Sequence, residues 1–303
     1  MNSPASLKHH PRHARRADGA RKNALNAFKT SLVAGLGLLL PAWSAAAFEV
    51  PFPKSSYQAV GGKAGLPGEP RGVLFVLMDE TTSLNEHPKV PRSVHELAVN
   101  WLSPGRAVQV IRFSAYVPGR SAEIVTGGLL DHEPSEDFID NIKRSARVKF
   151  HRLHKRQAHA AKAQTAKAIR KVFNAYSTSI PKSEILFNMH RLSAHIREYK
   201  APQKIILLVS DMLENSSVTS FYLAGGVRKI DPETEIEKAK SEGLIGDFGE
   251  NVRVYVVGLG FGAKDYLDSD RVSRLKTFWQ RYFEHGNATV EEFGAPLLFG
   301  ELE

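Results

Sequence analysis

The chain has 303 residues, a formal net charge of +9, 42% hydrophobic residues and no cysteine. That length allows one large domain or two small ones, and the lack of cysteine excludes disulfides, so stability has to come from a buried core. The basic excess is unevenly placed: residues 1–47 hold seven Lys/Arg against one acid and residues 143–171 hold eleven against none, which leaves the rest of the chain net acidic.

Residues 31–40, Ser-Leu-Val-Ala-Gly-Leu-Gly-Leu-Leu-Leu, form an apolar run behind the first group of charges, and Ala45-Ala46-Ala47 follows. This is the layout of a secretory signal over 1–47, with cleavage expected before Phe48 and export to the periplasm. The run is shorter than the roughly 20 residues a membrane span needs. An uncleaved anchor running to Trp43, holding the chain at the inner membrane, is the alternative. Arg15-Arg16 lies too far from the run to support a twin-arginine route. Residues 48–70, rich in Pro and Gly (Pro51, Pro53, Gly61, Gly62, Gly65), read as a linker or surface arm, which makes 71–303 the expected domain.

The apolar run 73–78 predicts a strand buried on both faces, and it ends in Asp79-Glu80-Thr81-Thr82-Ser83. Val94, Leu97, Ala98 and Trp101 at helical spacing predict an amphipathic helix over 90–102. Residues 107–113 read as a second strand, Pro118-Gly119 as a turn, and 122–130 as a weaker strand; with no room for a crossover helix, this last pair is expected to be antiparallel at a sheet edge. A long basic helix is predicted over 135–177, within an insertion of about 134–178, and another helix over 183–199. Residues 204–209 form a strand ending in Ser210-Asp211, 233–244 a polar helix and 252–257 a further buried strand. Val272, Leu275, Trp279 and Tyr282 mark a last helix, and 287–293 an edge strand. The predicted fold class is α/β: a doubly wound, mostly parallel sheet with an antiparallel edge strand.

Two carboxylates therefore close two parallel strands at one sheet edge, where ligands of open α/β sheets gather. Asp79, Thr81 and Ser83 alternate, so an extended turn can aim them at one point. Hard oxygen donors suit a hard cation such as Mg2+ or Mn2+. The alternative is that Asp79 and Thr81 cap the next helix.

Together these residues resemble the von Willebrand factor A family over roughly 71–295. Asp79-Glu80-Thr81-Thr82-Ser83 is similar to its first metal motif, with Thr81 in place of the usual Ser. Ser183 matches the position of its Thr, with Ser177, Thr178 and Ser179 as other candidates. Asp211 matches its third metal-site position, although the common following Gly is Met212 here. The resemblance implies a metal-ion-dependent adhesion site on Asp79, Thr81, Ser83, Ser183 and Asp211, holding Mg2+ or Mn2+ and binding a protein partner that offers an acidic residue.

Other readings are weaker. A phosphoaspartyl phosphatase needs a second Asp where Thr81 stands. The glycines of Gly258-Leu259-Gly260-Phe261-Gly262 are misplaced for a dinucleotide loop and read as a turn. No phosphate-binding loop or nucleophile elbow is present, so no catalytic role is expected. The basic stretch 143–171 reads as a solvated face, or as a contact for an acidic partner or lipid headgroups. Nucleic acid is disfavoured by export and by the few interleaved aromatics. His151 and His154, one turn apart, could ligate zinc only against strong local positive charge. The expected function is a cation-dependent protein-binding module of the cell envelope; a metal-free scaffold and a metal-dependent hydrolase are the alternatives.

Overall fold

The apolar runs 73–78, 204–209 and 252–257 become strands of one sheet in the computed structural model, which describes residues 49–60, 68–115, 122–176, 183–264 and 268–303. The expected leader, the Pro118-Gly119 turn and Ser177, Thr178 and Ser179 lie outside the described residues. In chain order the elements are β1 (Gly72–Asp79), α1 (Val90–Trp101), β2 (Arg106–Phe113), β3 (Glu123–Leu129), α2 (Glu136–Asn141), α3 (Arg144–Asn174), α4 (Ile185–Glu198) and β4 (Lys204–Val209). A small hairpin follows, β5 (Tyr222–Leu223) and β6 (Gly226–Val227), then α5 (Pro232–Ser241), β7 (Val252–Val257), α6 (Ser269–His285) and β8 (Ala288–Gly294).

The main sheet runs β3-β2-β1-β4-β7-β8, parallel throughout except for the antiparallel β2–β3 pair. With the hairpin set aside, this is the 3-2-1-4-5-6 order of a doubly wound sheet. β1 and β4 are buried over their whole length, as continuous apolar runs in central parallel strands require. Side chains on β1 alternate between two cores: Val73, Phe75 and Leu77 pack with α4, α5 and α6, and Leu74, Val76 and Met78 pack with α1 and α3. Each such buried Val, Leu or Phe stabilises the fold by about 1.5–3 kcal/mol relative to exposure. α5 and α6 start where the sequence supplies a cap, with Asp231 accepting from Thr234 N and Asp268 from Asp270 N and Arg271 N.

Three expectations are corrected. The helix predicted over 135–177 is two helices, because Ile142 and Lys143 are extended. Ser135 caps the first, and Asn141 turns its amide back onto the Asp137 carbonyl. The break brings Phe138 to 5.1 Å from Phe150 and 4.9 Å from Tyr57, ring centre to ring centre. Second, part of the expected linker is built into the domain: Val50 N donates to Val125 O, Val50 and Tyr57 are buried, and Ser56 bonds to the buried Asp131 through both its N–H and its hydroxyl. Third, the helix expected from Ser183 starts at Ile185, and Ser183 instead bridges Asn215 in the loop after β4. Among the described residues no helix is long and apolar enough to cross a membrane.

Candidate functional site

β1 ends on Asp79, whose carboxylate is 6% exposed. The chain then doubles back, so that Thr81 gives both its N–H (2.9 Å) and its hydroxyl (2.6 Å) to Asp79 Oδ1. This local turn uses Asp79 as an acceptor for its own loop, and Asp79 caps no helix. The short turn that follows has Thr82 at its N-cap and α1 has Lys89, neither with a side-chain capping bond. The capping alternative is thereby set aside.

Register brings in the partners from β4. Met78 is level with Val209, so Ser210 lies opposite Asp79, and its hydroxyl donates to Asp79 Oδ2 at 2.9 Å. Ser183 Oγ donates to the same oxygen at 3.3 Å. Asp211, next along, accepts from Leu213 N at 3.0 Å and from the Tyr222 hydroxyl at 3.0 Å, and its backbone carbonyl accepts from Gly260 N at 2.7 Å. Ser83 opens the turn Ser83–Glu86; a Cβ on Gly262 would come within 3.1 Å of its hydroxyl, so the loop after β7 runs beside it. Among the described residues the hydroxyls that bond to Asp79 are those of Thr81, Ser183 and Ser210, and that of Ser83 is not one of them.

Glu214, in the loop after β4, is fully buried. Its carboxylate accepts from Leu186 N at 2.9 Å, so it supplies from another segment the cap that α4 lacks locally. Asn215 N donates to Ser183 O at 2.8 Å. Glu214 and Asn215 together pin the Ser183 segment to the β4 loop, and this fixes the Ser183 hydroxyl near Asp79.

Burial dominates the electrostatics. It raises the Asp79 carboxyl above the usual range, against the lowering effect of its hydrogen bonds from Thr81, Ser210 and Ser183. Asp211 is pushed up to about 7 by burial first and then by the negative charge of Asp79. Burial and the neighbouring Asp211 also raise the Tyr222 phenol, and burial with Glu86 and Asp211 raises that of Tyr176. Among the described residues the groups acting on the two carboxylates are hydroxyls, backbone N–H groups and, for Asp211, the charge of Asp79, with no Lys or Arg among them. A pair of buried like charges with no cation beside it is a place where an added cation is favoured.

The donor chemistry fits a hard divalent cation. A hydroxyl that gives its proton to Asp79 turns its lone pairs elsewhere, and carboxylates with hydroxyls are the oxygen set such ions accept. Among the described residues no group of three or more His, Cys, Asp or Glu side chains is placed to hold a metal, so a site here rests on two carboxylates plus hydroxyls. His154 turns away from zinc-like use: it meets Ser56 Oγ at 3.2 Å, lies 3.6 Å from Glu133 and stacks on Phe150.

Ser210, Tyr222 and Tyr176 belong to the site and were not singled out from sequence. Ser210 could have been found from its place beside Asp211 once the β1–β4 register was set. No motif marks the two tyrosines.

No protein-family model matches the chain, and no curated protein does. Among solved structures it is similar to the manganese-loaded TRAP protein of Plasmodium vivax, with 17% identity and a TM-score of 0.34 over 67% of this chain and 61% of that one. It is similar to proximal thread matrix protein 1 from the mussel byssus, with 18% identity and a TM-score of 0.32 over 75% and 41%. An aerotolerance-related membrane protein of Bacteroides fragilis matches with 15% identity and a TM-score of 0.31, over 75% of this chain and 92% of that one. The chain thus spans less than two thirds of the first two.

Proposed function

We propose that the chain is a protein-binding module of the von Willebrand factor A type, in which Asp79, Thr81, Ser83, Ser183 and Asp211 hold Mg2+ or Mn2+ and a partner's acidic side chain completes the site. The observation that carries this reading is the pair of buried carboxylates at one sheet edge, on which, among the described residues, no Lys or Arg acts. Bound there, the cation would supply the positive charge that the pair lacks and an open position for a carboxylate ligand. Asp79 organises the site by collecting three hydroxyl donors, and Ser210 orients it from β4. Asp211 contributes charge, and Tyr222 holds one of its oxygens in place.

A second reading, a metal-free scaffold, is favoured by one observation: Asp211 has its own donors in Leu213 N and Tyr222, and a carboxyl pushed up to about 7 can stand protonated without a metal. Thermal unfolding of the chain in EDTA, Mg2+, Mn2+ or Ca2+, with Asp79→Ala and Asp211→Asn, separates the two. A cation at 100 times its dissociation constant stabilises the native state by about 2.7 kcal/mol, a readable rise in Tm. The expected result is a rise for the wild type and none for either variant. Asp211→Asn also removes a like charge, so in EDTA it should melt above the wild type. A wild type whose Tm ignores millimolar Mg2+ and Mn2+ leaves the scaffold reading.

A further inference from the structure

Among the described residues the most one-sided surface is the exposed face of α3. α3 runs for 31 residues without an acid, and its exposed face carries Lys149, Arg152, Arg156, Lys167 and Arg170, with His159 and Ala163 continuing the three- and four-residue spacing between Arg156 and Lys167. From Lys149 to Arg170 the stripe is about 32 Å long at a rise of ~1.5 Å per residue. Lys155 lies on its flank. Among the described residues none of these six cations makes an ion pair; the pairs that α3 does make, Arg147 to Asp140, His154 to Glu133 and Lys171 to Glu49, lie off the stripe.

We infer that this face of α3 docks on an anionic phospholipid surface. The stripe is straight and lies on one face of a rigid helix, so all of its cations can reach a flat plane of phosphates together. The opposite face is fixed in the protein by Phe150, Ala161, Ala168, Ile169 and Val172, so the helix presents the stripe without rearrangement. The two aromatics of the helix, Phe150 and Phe173, are both buried, which leaves no platform for stacking on single-stranded bases. Val148, 68% exposed near the N-terminal end of the stripe, offers an apolar contact at the headgroup level. Beyond residue 47 the rest of the chain is net acidic, so an anionic surface attracts α3 and repels the remainder, which sets the orientation of the molecule.

The test is flotation of the full chain with vesicles of phosphatidylcholine plus phosphatidylglycerol, and with phosphatidylcholine alone. Binding is expected only with phosphatidylglycerol, and it should be lost between about 0.1 and 1 M salt, where the screening length falls from about 10 to about 3 Å. Each neutralised cation should weaken partition about fivefold, so Lys149→Gln/Arg152→Gln/Arg156→Gln/Lys167→Gln should reduce it by a factor on the order of 10² to 10³. Arg152→Gln/Arg156→Gln, with the smaller loss of a double variant, serves if the quadruple variant has an altered circular dichroism spectrum. Equal binding to pure phosphatidylcholine, or full binding by the variants, would overturn the inference and assign the binding to the N-terminal apolar run. Failure to float with either vesicle, together with stripe-dependent binding of duplex DNA or of an acidic protein, would overturn it in favour of that other class of partner.

Discussion

Met212, next to Asp211, shows how a side chain can be worth more than the backbone strain it brings. It occupies the left-handed region (φ 60°), where Gly is the unstrained choice, yet it is fully buried and its carbonyl accepts from the Trp279 indole at 2.8 Å. Left-handed backbone costs a non-glycine residue roughly 1–2 kcal/mol, whereas emptying a buried Met site costs about 2–5 kcal/mol. Met212→Gly should therefore destabilise by a net of about 1–3 kcal/mol in urea unfolding, despite relieving the backbone. A variant as stable as the wild type would mean that the side chain adds no more to the core than its backbone strain costs. At the same scale Asp79, Thr81 and Asp211 were legible in the sequence as oxygen donors near one strand edge. Ser183, 104 positions from Asp79, was marked only through the family resemblance, and Ser210, 131 positions away, was not marked at all.

At the scale of elements, α4 depends on a carboxylate borrowed from the β4 loop. Burial pushes the Glu214 carboxyl up to about 8 from 4.5, so the native state favours its protonated form. Stability from this group is therefore full below the unfolded value and is lost as pH rises through about 8. Glu214→Gln keeps an acceptor for Leu186 N and does not titrate. Its lead over the wild type should grow between pH 4.5 and about 8, to the order of a few kcal/mol, and level off above. A difference that stays constant across that range would falsify the assignment. The sequence marked α4 by its apolar spacing, Ile185, Met189, Leu192 and Ile196, but it gave no sign of the cap. Glu184, the residue at the N-cap, makes no side-chain capping bond, and the group that does the work comes from 28 positions on. The division of the long basic helix into α2 and α3 was illegible for a similar reason, because its cause is the packing of Phe138 on Tyr57 and Phe150.

Across the whole molecule the N-terminal arm ties β3 and α3 together. Glu49 and Glu123 both pair with Arg112, Glu49 also pairs with Lys171, and Ser56 reaches Asp131, which is wholly buried and whose backbone N–H donates to Gln157 Oε1. Ser56→Ala removes a 2.5 Å hydroxyl bond to a buried carboxylate and leaves only the 2.6 Å backbone donor. The expected cost is about 1–3 kcal/mol, together with faster proteolytic cleavage within 49–60. Unchanged cleavage would show that the arm is held by Val50 and Tyr57 alone.

The sequence by itself determined the elements and the layers they build. Continuous apolar runs make central strands, period-3.6 spacing makes helices, the short 113–122 connection makes an antiparallel edge, and unopposed Lys and Arg make the basic face. These are local properties, set by burial and backbone geometry within a window of a few turns. Only the tertiary structure decided which hydroxyls meet Asp79, that Tyr222 holds Asp211, that residues 49–60 are part of the domain and that α4 is capped from afar. Those contacts depend on strand register and on the closure of loops between distant segments, and the energy that fixes them comes from the packed core on both faces of the sheet, which no local pattern contains.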